Sequence, residues 1–229
     1  MYIKNKKLII AIDGPAGSGK STIAEKLSEL LHIFHLNSGA LYRIIGLYLN
    51  QQGISPKDLE KVETALQEID IEIKDNKYFL NGKDVTEEIK TLEAGKLASA
   101  FSQNPSIRKK VNEIIKDVSK SIDIVVDGRD IGTVVLPNSD LKIFLTATLE
   151  ERARRRWKEL KVKGENVSYQ EILNEIYERD NADSKRSIAP LKPAKDALII
   201  DTTNKSIQEV VEEILSILRR KEINGNKSF

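Results

Sequence analysis

The sequence has no cysteine, which excludes disulfides and thiolate metal sites, and its two histidines alone do not make a structural zinc site. Any bound metal must therefore be held by oxygen. An excess of one charge sign is also missing: 37 basic residues against 35 acidic leave a net +2, too little for the electrostatic footprint of a nucleic-acid-binding protein. Long apolar runs are absent from the start of the chain. The longest there, Leu8-Ile9-Ile10-Ala11-Ile12, is too short for a signal sequence or a membrane span, and no cleavage pattern follows it. A cytosolic protein with no membrane association is expected.

The 229 residues, 40% hydrophobic and 31% charged, suit an ordered soluble chain with one main core and room for a small insert. Leu8 to Ile12 reads as a strand buried on both faces, entering a glycine-rich turn and then a helix with the stripe Ile23, Ala24, Leu27, Leu30 and Leu31. A strand at Ile33 to Leu36 ends in a turn-like Asn37-Ser38-Gly39, and Leu41 to Leu49 looks helical. From Val62 to Pro105 the texture changes to an antiparallel meander: Ile69, Ile71 and Ile73 alternate with polar residues, Asp75-Asn76 looks like a turn, and Asn81-Gly82 is a hairpin signal. Asn104-Pro105 opens a helix with the stripe Ile107, Val111, Ile114, Ile115 and Val118. Strands then follow at Ile122 to Val126, Leu141 to Leu145 and Ala197 to Ile200, and Thr148 with Glu151, Ser168 with Glu171 and Ser206 with Glu209 are capping boxes. The pattern implies a P-loop three-layer α/β/α fold with a five-stranded parallel sheet, a small antiparallel insert and a helical lid. Residues 1–61, 106–149 and 192–229 would form the core, 62–105 the insert and 150–191 the lid. Ligands of such sheets sit beyond the carboxyl ends of the strands.

Gly14-Pro15-Ala16-Gly17-Ser18-Gly19-Lys20-Ser21, with Thr22 following, fits the phosphate-binding loop and lies between a strand and a helix, as that motif requires. Backbone N–H groups and the helix N-terminus attract phosphates, Lys20 reaches the β- and γ-phosphates, and the Ser21 hydroxyl ligates Mg²⁺. Asp127, ending the apolar Ile124-Val125-Val126, is the candidate carboxylate for Mg²⁺ or its water shell, with a plain turn residue as the alternative. Asp13 is open between a place near the metal and a turn. Arg152, Arg154, Arg155 and Arg156 are either a solvated helix face or part of a site; helical spacing sets Arg152 beside Arg155 and Arg156 and turns Arg154 away.

Three further clusters are Ser38-Gly39-Ala40-Leu41-Tyr42-Arg43, then Gly128-Arg129-Asp130-Ile131-Gly132-Thr133, then Arg179-Asp180 with Asp183 and Arg186 before Ala189-Pro190-Leu191. With these, the chain from about Leu8 to Leu218 resembles the bacterial cytidylate kinases, CMP/dCMP kinases of the nucleoside monophosphate kinase group, which carry a distinctive insert in the acceptor-binding region. The resemblance implies ATP as donor and CMP or dCMP as acceptor. It places Ser99, Arg108 and Asp130 around the cytosine, Arg43 and Arg129 on the acceptor phosphate, Arg186 on phosphate or ribose, Arg179 and Asp183 on the sugar, and Ser38 among the substrate-binding residues. Taken without it, Ser99 and Arg108 read as ordinary surface residues. The family usually has Asp where this chain has Asn37, which keeps an oxygen acceptor and loses the charge.

Lys20, Arg129, Arg155 and Arg156 are the expected catalytic cations, the last two from a lid that closes over ATP, and a monomer is expected. The alternatives are a P-loop kinase for a small hydroxyl metabolite, which would need a carboxylate base, and a nucleotide-hydrolysing switch.

Overall fold

The computed structural model describes residues 7–74 and 77–225, so the expected turn at Asp75-Asn76 lies outside the described residues. In chain order the elements are β1 (Ile9–Asp13), α1 (Lys20–Leu31), β2 (Phe34–Asn37), α2 (Ser38–Gln51), α3 (Leu59–Gln67), β3 (Ile71–Lys74), β4 (Lys77–Leu80) and β5 (Lys83–Asp84), followed by α4 (Leu92–Phe101), α5 (Pro105–Ser121), β6 (Ile124–Gly128), β7 (Leu141–Thr146), α6 (Leu149–Val162), α7 (Tyr169–Lys185), β8 (Leu198–Asp201) and α8 (Ile207–Gly225). A 3-10 turn spans Glu88–Lys90, and a π-helical turn spans Ile131–Val135. Among the described residues no helix is long and apolar enough to cross a membrane.

The chain divides into two compact units, one of described residues up to 36 and from 118 onward, the other of residues 37–117. The first holds a five-stranded sheet in the order β2-β6-β1-β7-β8, with β1 parallel to both β6 and β7, and β7 parallel to β8. Parallel strands covered by helices need apolar side chains on both faces, which is why β1 and β6 read as unbroken apolar runs. Ile10 and Ile12 of β1, Val125 of β6, Ile143 and Leu145 of β7 and Ile200 of β8 pack with Ile23, Ala24 and Leu27 of α1 and Val210, Val211, Ile214 and Leu218 of α8. In this order the chain runs from β1 to β2 on one side and later from β6 across β1 to β7 on the other, so the carboxyl ends of the neighbours β1 and β6 mark the switch point where ligands of such sheets bind. The expected fold class is the one observed.

The second unit is larger than the insert expected from residues 62–105, since it also takes in α2, α3 and most of α5. The reason lies at Gly46 in α2: a Cβ there would stand 3.2 Å from both the backbone carbon and the Cβ of Leu97 in α4. A side chain there would have to push the Leu97 backbone back by a few tenths of an ångström. The meander is β3-β4-β5, and the Asn81-Gly82 turn has positive φ at both residues, 49° and 78°, the type I′ geometry of a tight hairpin. The same segment also forms α4, capped by Thr91 Oγ1 accepting from the Ala94 N–H at 3.2 Å, where only a meander was expected.

One boundary moved and one capping box formed only in part, each for an identifiable reason. Asn37-Ser38-Gly39 is no turn: the Asn37 side-chain oxygen accepts from the Ala40 N–H at 3.0 Å and starts α2 at Ser38. Thr148 accepts from the Glu151 N–H at 3.3 Å, but the reciprocal half of that capping box is not formed. The Thr148 N–H goes to Thr203 Oγ1 at 3.0 Å, and the Glu151 carboxylate is taken by Arg154 and Arg155. Ser168 with Glu171, and Ser206 with Glu209, make both halves.

Candidate functional site

The segment Gly14 to Gly19 joins β1 to α1, and its shape depends on the absence of side chains. A Cβ on Gly14 would fall 2.1 Å from the Leu145 carbonyl oxygen at the end of β7. The loop's backbone can therefore settle onto the sheet edge and turn its N–H groups outward. Gly19, with φ 91°, is the N-cap residue of α1, and Lys20 is buried with its Nζ donating to the Pro15 carbonyl at 2.7 Å. Burial pushes the Lys20 ammonium well below its usual pKa, and the charges of Arg129 and Arg179 push the same way against Asp127 and Asp13. Three cations thus share one enclosed place, an arrangement that a polyanion relieves.

Beside them, the Ser21 hydroxyl donates to Asp127 Oδ2 at 2.8 Å, and His35 Nε2 lies 2.7 Å from Asp127 Oδ1. An ionised carboxylate can only accept, so with Asp127 in that form the imidazole donates from Nε2. The Ser21 hydroxyl and the buried Asp127 are hard oxygen donors of the kind Mg²⁺ takes, alongside phosphate oxygens and water. Among the described residues no group of three or more His, Cys, Asp or Glu side chains could hold a metal by itself. His35, the second residue of β2, was not singled out from the sequence. The signal available was a polar residue within a strand that neighbours the one carrying Asp127.

The Asp13 carboxylate, at the tip of β1, turns away from the choice of metal or turn. It accepts the N–H groups of Ile131 and Gly132 at 2.8 and 2.7 Å and so holds the π-helical turn that follows Asp130. Burial outweighs those two hydrogen bonds, and the nearby Asp130 adds to it, raising Asp13 from 3.8 to about 6.

Arg129, Asp130, Arg179, Asp183 and Arg186 come together in one charged network. Arg129 Nε donates to Asp183 Oδ2 at 2.9 Å, Arg186 Nη2 donates to Asp130 Oδ1 at 3.2 Å, and Arg186 Nη1 stands 3.7 Å from Asp183 Oδ1. Burial alone would raise the Asp183 carboxyl, but the charges of Arg129 and Arg179, the Arg129 hydrogen bond and the charge of Arg186 hold it below the usual range. Arg179 and Asp183 are four residues apart on α7, hence on one face of it.

The arginines of α6 divide. Arg155 lies against the loop: a Cβ on Gly19 would be 4.0 Å from its Nη1, and it donates to Thr202 Oγ1 and the Thr202 carbonyl at 2.9 and 2.6 Å. Arg156 instead pairs with Glu159 on its own helix at 2.8 Å. Two residues that sequence reasoning left without a role, Arg152 and Asp180, bind the loop directly. Arg152 Nη1 donates to the Ala16 carbonyl at 2.9 Å, Asp180 Oδ1 accepts the Ala16 N–H at 3.3 Å, and the two side chains pair with each other. Helical spacing did set Arg152 on the face shared with Arg155.

In the second unit, Ser38 is buried at the start of α2, which also carries Arg43. Arg108 is not the surface residue that its type suggests: it is only 4% exposed, donates to the Ser102 carbonyl at 3.2 Å and lies over the Tyr42 ring at 5.9 Å. The Ser102 hydroxyl donates to the Ser99 carbonyl at 3.0 Å, so Ser99 and Arg108 meet through Ser102.

Comparison with known proteins agrees with this geometry. The family model described as cytidylate kinase matches residues 10–220. The cytidylate kinase of Thermosipho melanesiensis is 50% identical over 93% of this chain and 97% of its own, and that of Pseudothermotoga lettingae is 49% identical over 96% and 98%. Among solved structures, a gluconokinase from Sinorhizobium meliloti has the same fold, with a TM-score of 0.50 at 16% identity over 96% of this chain and 97% of its own. With a P-loop, an arginine-rich network at the switch point and half-identical relatives along nearly its whole length, the chain belongs to the cytidylate kinase family, ATP-dependent nucleoside monophosphate kinases that phosphorylate CMP and dCMP.

Proposed function

We propose that this chain transfers the γ-phosphate of ATP to CMP or dCMP, giving ADP with CDP or dCDP, and that its candidate site residues divide the work as follows. The observation that carries it is the buried Lys20 that follows the loop of residues 14–19, whose ammonium is disfavoured by burial and by the charges of Arg129 and Arg179 beyond what Asp127 and Asp13 offset, so that a phosphate would relieve it. Residues Gly14 to Thr22 hold the ATP phosphates, with Lys20 on the β- and γ-phosphates. Ser21 and Asp127 hold Mg²⁺ or its water, and the ion neutralises charge on the phosphate oxygens.

Arg43 and Arg129 hold the phosphate of the acceptor, and Arg155, beside Gly19, neutralises charge on the group in transfer; Arg156 joins it from a lid formed by residues 150–191. Asp130, Ser99 and Arg108 read the cytosine: a carboxylate accepts from its exocyclic amine, while a hydroxyl and a guanidinium donate to its ring acceptors. Ser38, Arg179, Asp183 and Arg186 hold the sugar and phosphate. An acceptor phosphate oxygen attacks the γ-phosphorus as the bond to the β-phosphate oxygen breaks. A monophosphate, with its second pKa of about 6, is already mostly dianionic at neutral pH. No general base is therefore needed, which suits a site richer in arginine than in unpaired carboxylates. The enzyme works as a cytosolic monomer in pyrimidine nucleotide metabolism.

An ADP-release assay with CMP, dCMP, UMP, AMP and shikimate as acceptors tests this. Turnover should be fastest with CMP or dCMP. Release that favours shikimate, or that needs no acceptor, would overturn it.

A further inference from the structure

Asp127 is held at both of its oxygens. Oδ2 accepts from Ser21 at the start of α1, and Oδ1 accepts from His35 within β2. The two strands involved, β2 and β6, are neighbours, so the sheet itself sets His35 next to Asp127. A carboxylate turns easily about its last torsion, where the energy wells are broad, so a single hydrogen bond orients it poorly. The bond to the His35 imidazole at 2.7 Å, with the His35 side chain 18% and that of Asp127 4% exposed, is shielded from competing water.

We infer that His35 is a positioning residue of the metal site: its Nε2–H fixes Oδ1 of Asp127 so that Oδ2 receives the Ser21 proton and leaves the Ser21 lone pairs for the cation. The inference rests on the reading that Ser21 and Asp127 hold the ion. His35 touches neither ATP nor CMP in this scheme. It acts through Asp127, as outer partners of metal ligands commonly do, and their loss typically costs 10 to 100-fold, an order-of-magnitude guide, in metal affinity.

The test is Mn²⁺ binding to the full-length enzyme with a non-hydrolysable ATP analogue, read by electron paramagnetic resonance, on His35→Leu, His35→Gln and Asp127→Asn. His35→Leu, which keeps bulk and removes the donor, should weaken Mn²⁺ binding by about tenfold or more, while His35→Gln, whose amide can still donate, should recover it to within about threefold of the parent. The KM for CMP should stay unchanged in both. Should the leucine variant fail to fold, His35→Asn, whose amide is too short to reach, takes its place. Parental Mn²⁺ affinity in His35→Leu overturns the inference, as does a loss that glutamine leaves unrelieved, which would mark a packing effect. If Asp127→Asn itself binds Mn²⁺ like the parent, the metal assignment falls and the inference falls with it. If Asp127→Asn loses the ion and His35→Leu does not, only the role of His35 falls.

Discussion

Arg152 and Asp180 hold one residue of the phosphate-binding loop at both of its backbone polar groups, the guanidinium on the Ala16 carbonyl at 2.9 Å and the carboxylate on the Ala16 N–H at 3.3 Å, while pairing with each other at 2.5 Å. The loop is thereby tied to α6 and α7, the segment expected to act as a lid. Removing one partner leaves the other charge uncompensated in a mostly buried place. Arg152→Ala should therefore cost about 3 kcal/mol in chemical denaturation, and Arg152→Ala with Asp180→Ala should cost clearly less than the two single changes added. Additive costs would mean that the pair is not a unit.

Lys20 should show function and stability in opposition. Its ammonium is disfavoured first by burial and then by Arg129 and Arg179, so the folded protein gains if that charge is removed. Lys20→Met should raise stability by on the order of 1 kcal/mol while nearly abolishing ADP formation. A destabilised variant, or one with near-normal turnover, would remove Lys20 from its assigned place.

The sign for Asp13 is opposite to that of an ordinary paired carboxylate. Its folded pKa of about 6 lies above the reference 3.8, so between those values the folded chain binds more protons than the unfolded one. Stability contributed by this group is then lost as pH rises from about 4 to about 6, by up to about 3 kcal/mol, and is flat above. Asp13→Asn removes that slope while also losing one of the two backbone hydrogen bonds as a constant offset. Denaturation of both proteins at pH 4.5 and pH 7 reads the difference: the parent should lose stability relative to the variant. No change in the difference would place the Asp13 carboxyl at its ordinary pKa.

Asp130 is partnered by Arg186, so its removal both takes one partner from that guanidinium and removes an acceptor for the cytosine amine. Asp130→Asn, the milder change, should reduce the preference for CMP over UMP by about 1–3 kcal/mol in kcat/KM, the scale of a good contact to a base edge. An unchanged preference would exclude Asp130 from base recognition.

Elements whose sequence carries a local physical signal were legible before the structure. The P-loop shows through its glycines, β1 and β6 through apolar runs, the hairpin through Asn81-Gly82, and α5 through Asn104-Pro105, where Asn104 Oδ1 accepts from the Ser106 N–H at 2.9 Å. What was not legible depends on distance in sequence. Glu151 abandons its capping box because two arginines further along α6 compete for it. The roles of Arg152, Asp180 and His35 arise from partners 136, 164 and 92 residues away, which no local pattern shows. Arg108 illustrates the same limit: a charged helix residue looks exposed until a folded neighbour such as Tyr42 covers it. Asn37 is the reverse case. Its departure from the family Asp was visible at once, and the structure gives it a task, the cap of α2, that a neutral amide oxygen performs.

The most direct measurement follows the γ-phosphate itself. With γ-labelled ATP, Mg²⁺ and CMP, single-turnover reactions should move the label into the β-phosphate of CDP at a rate that depends on CMP, and Lys20→Ala should lose that transfer while remaining folded. Label appearing as inorganic phosphate at a rate indifferent to CMP would contradict phosphoryl transfer to a cytosine nucleotide on this loop.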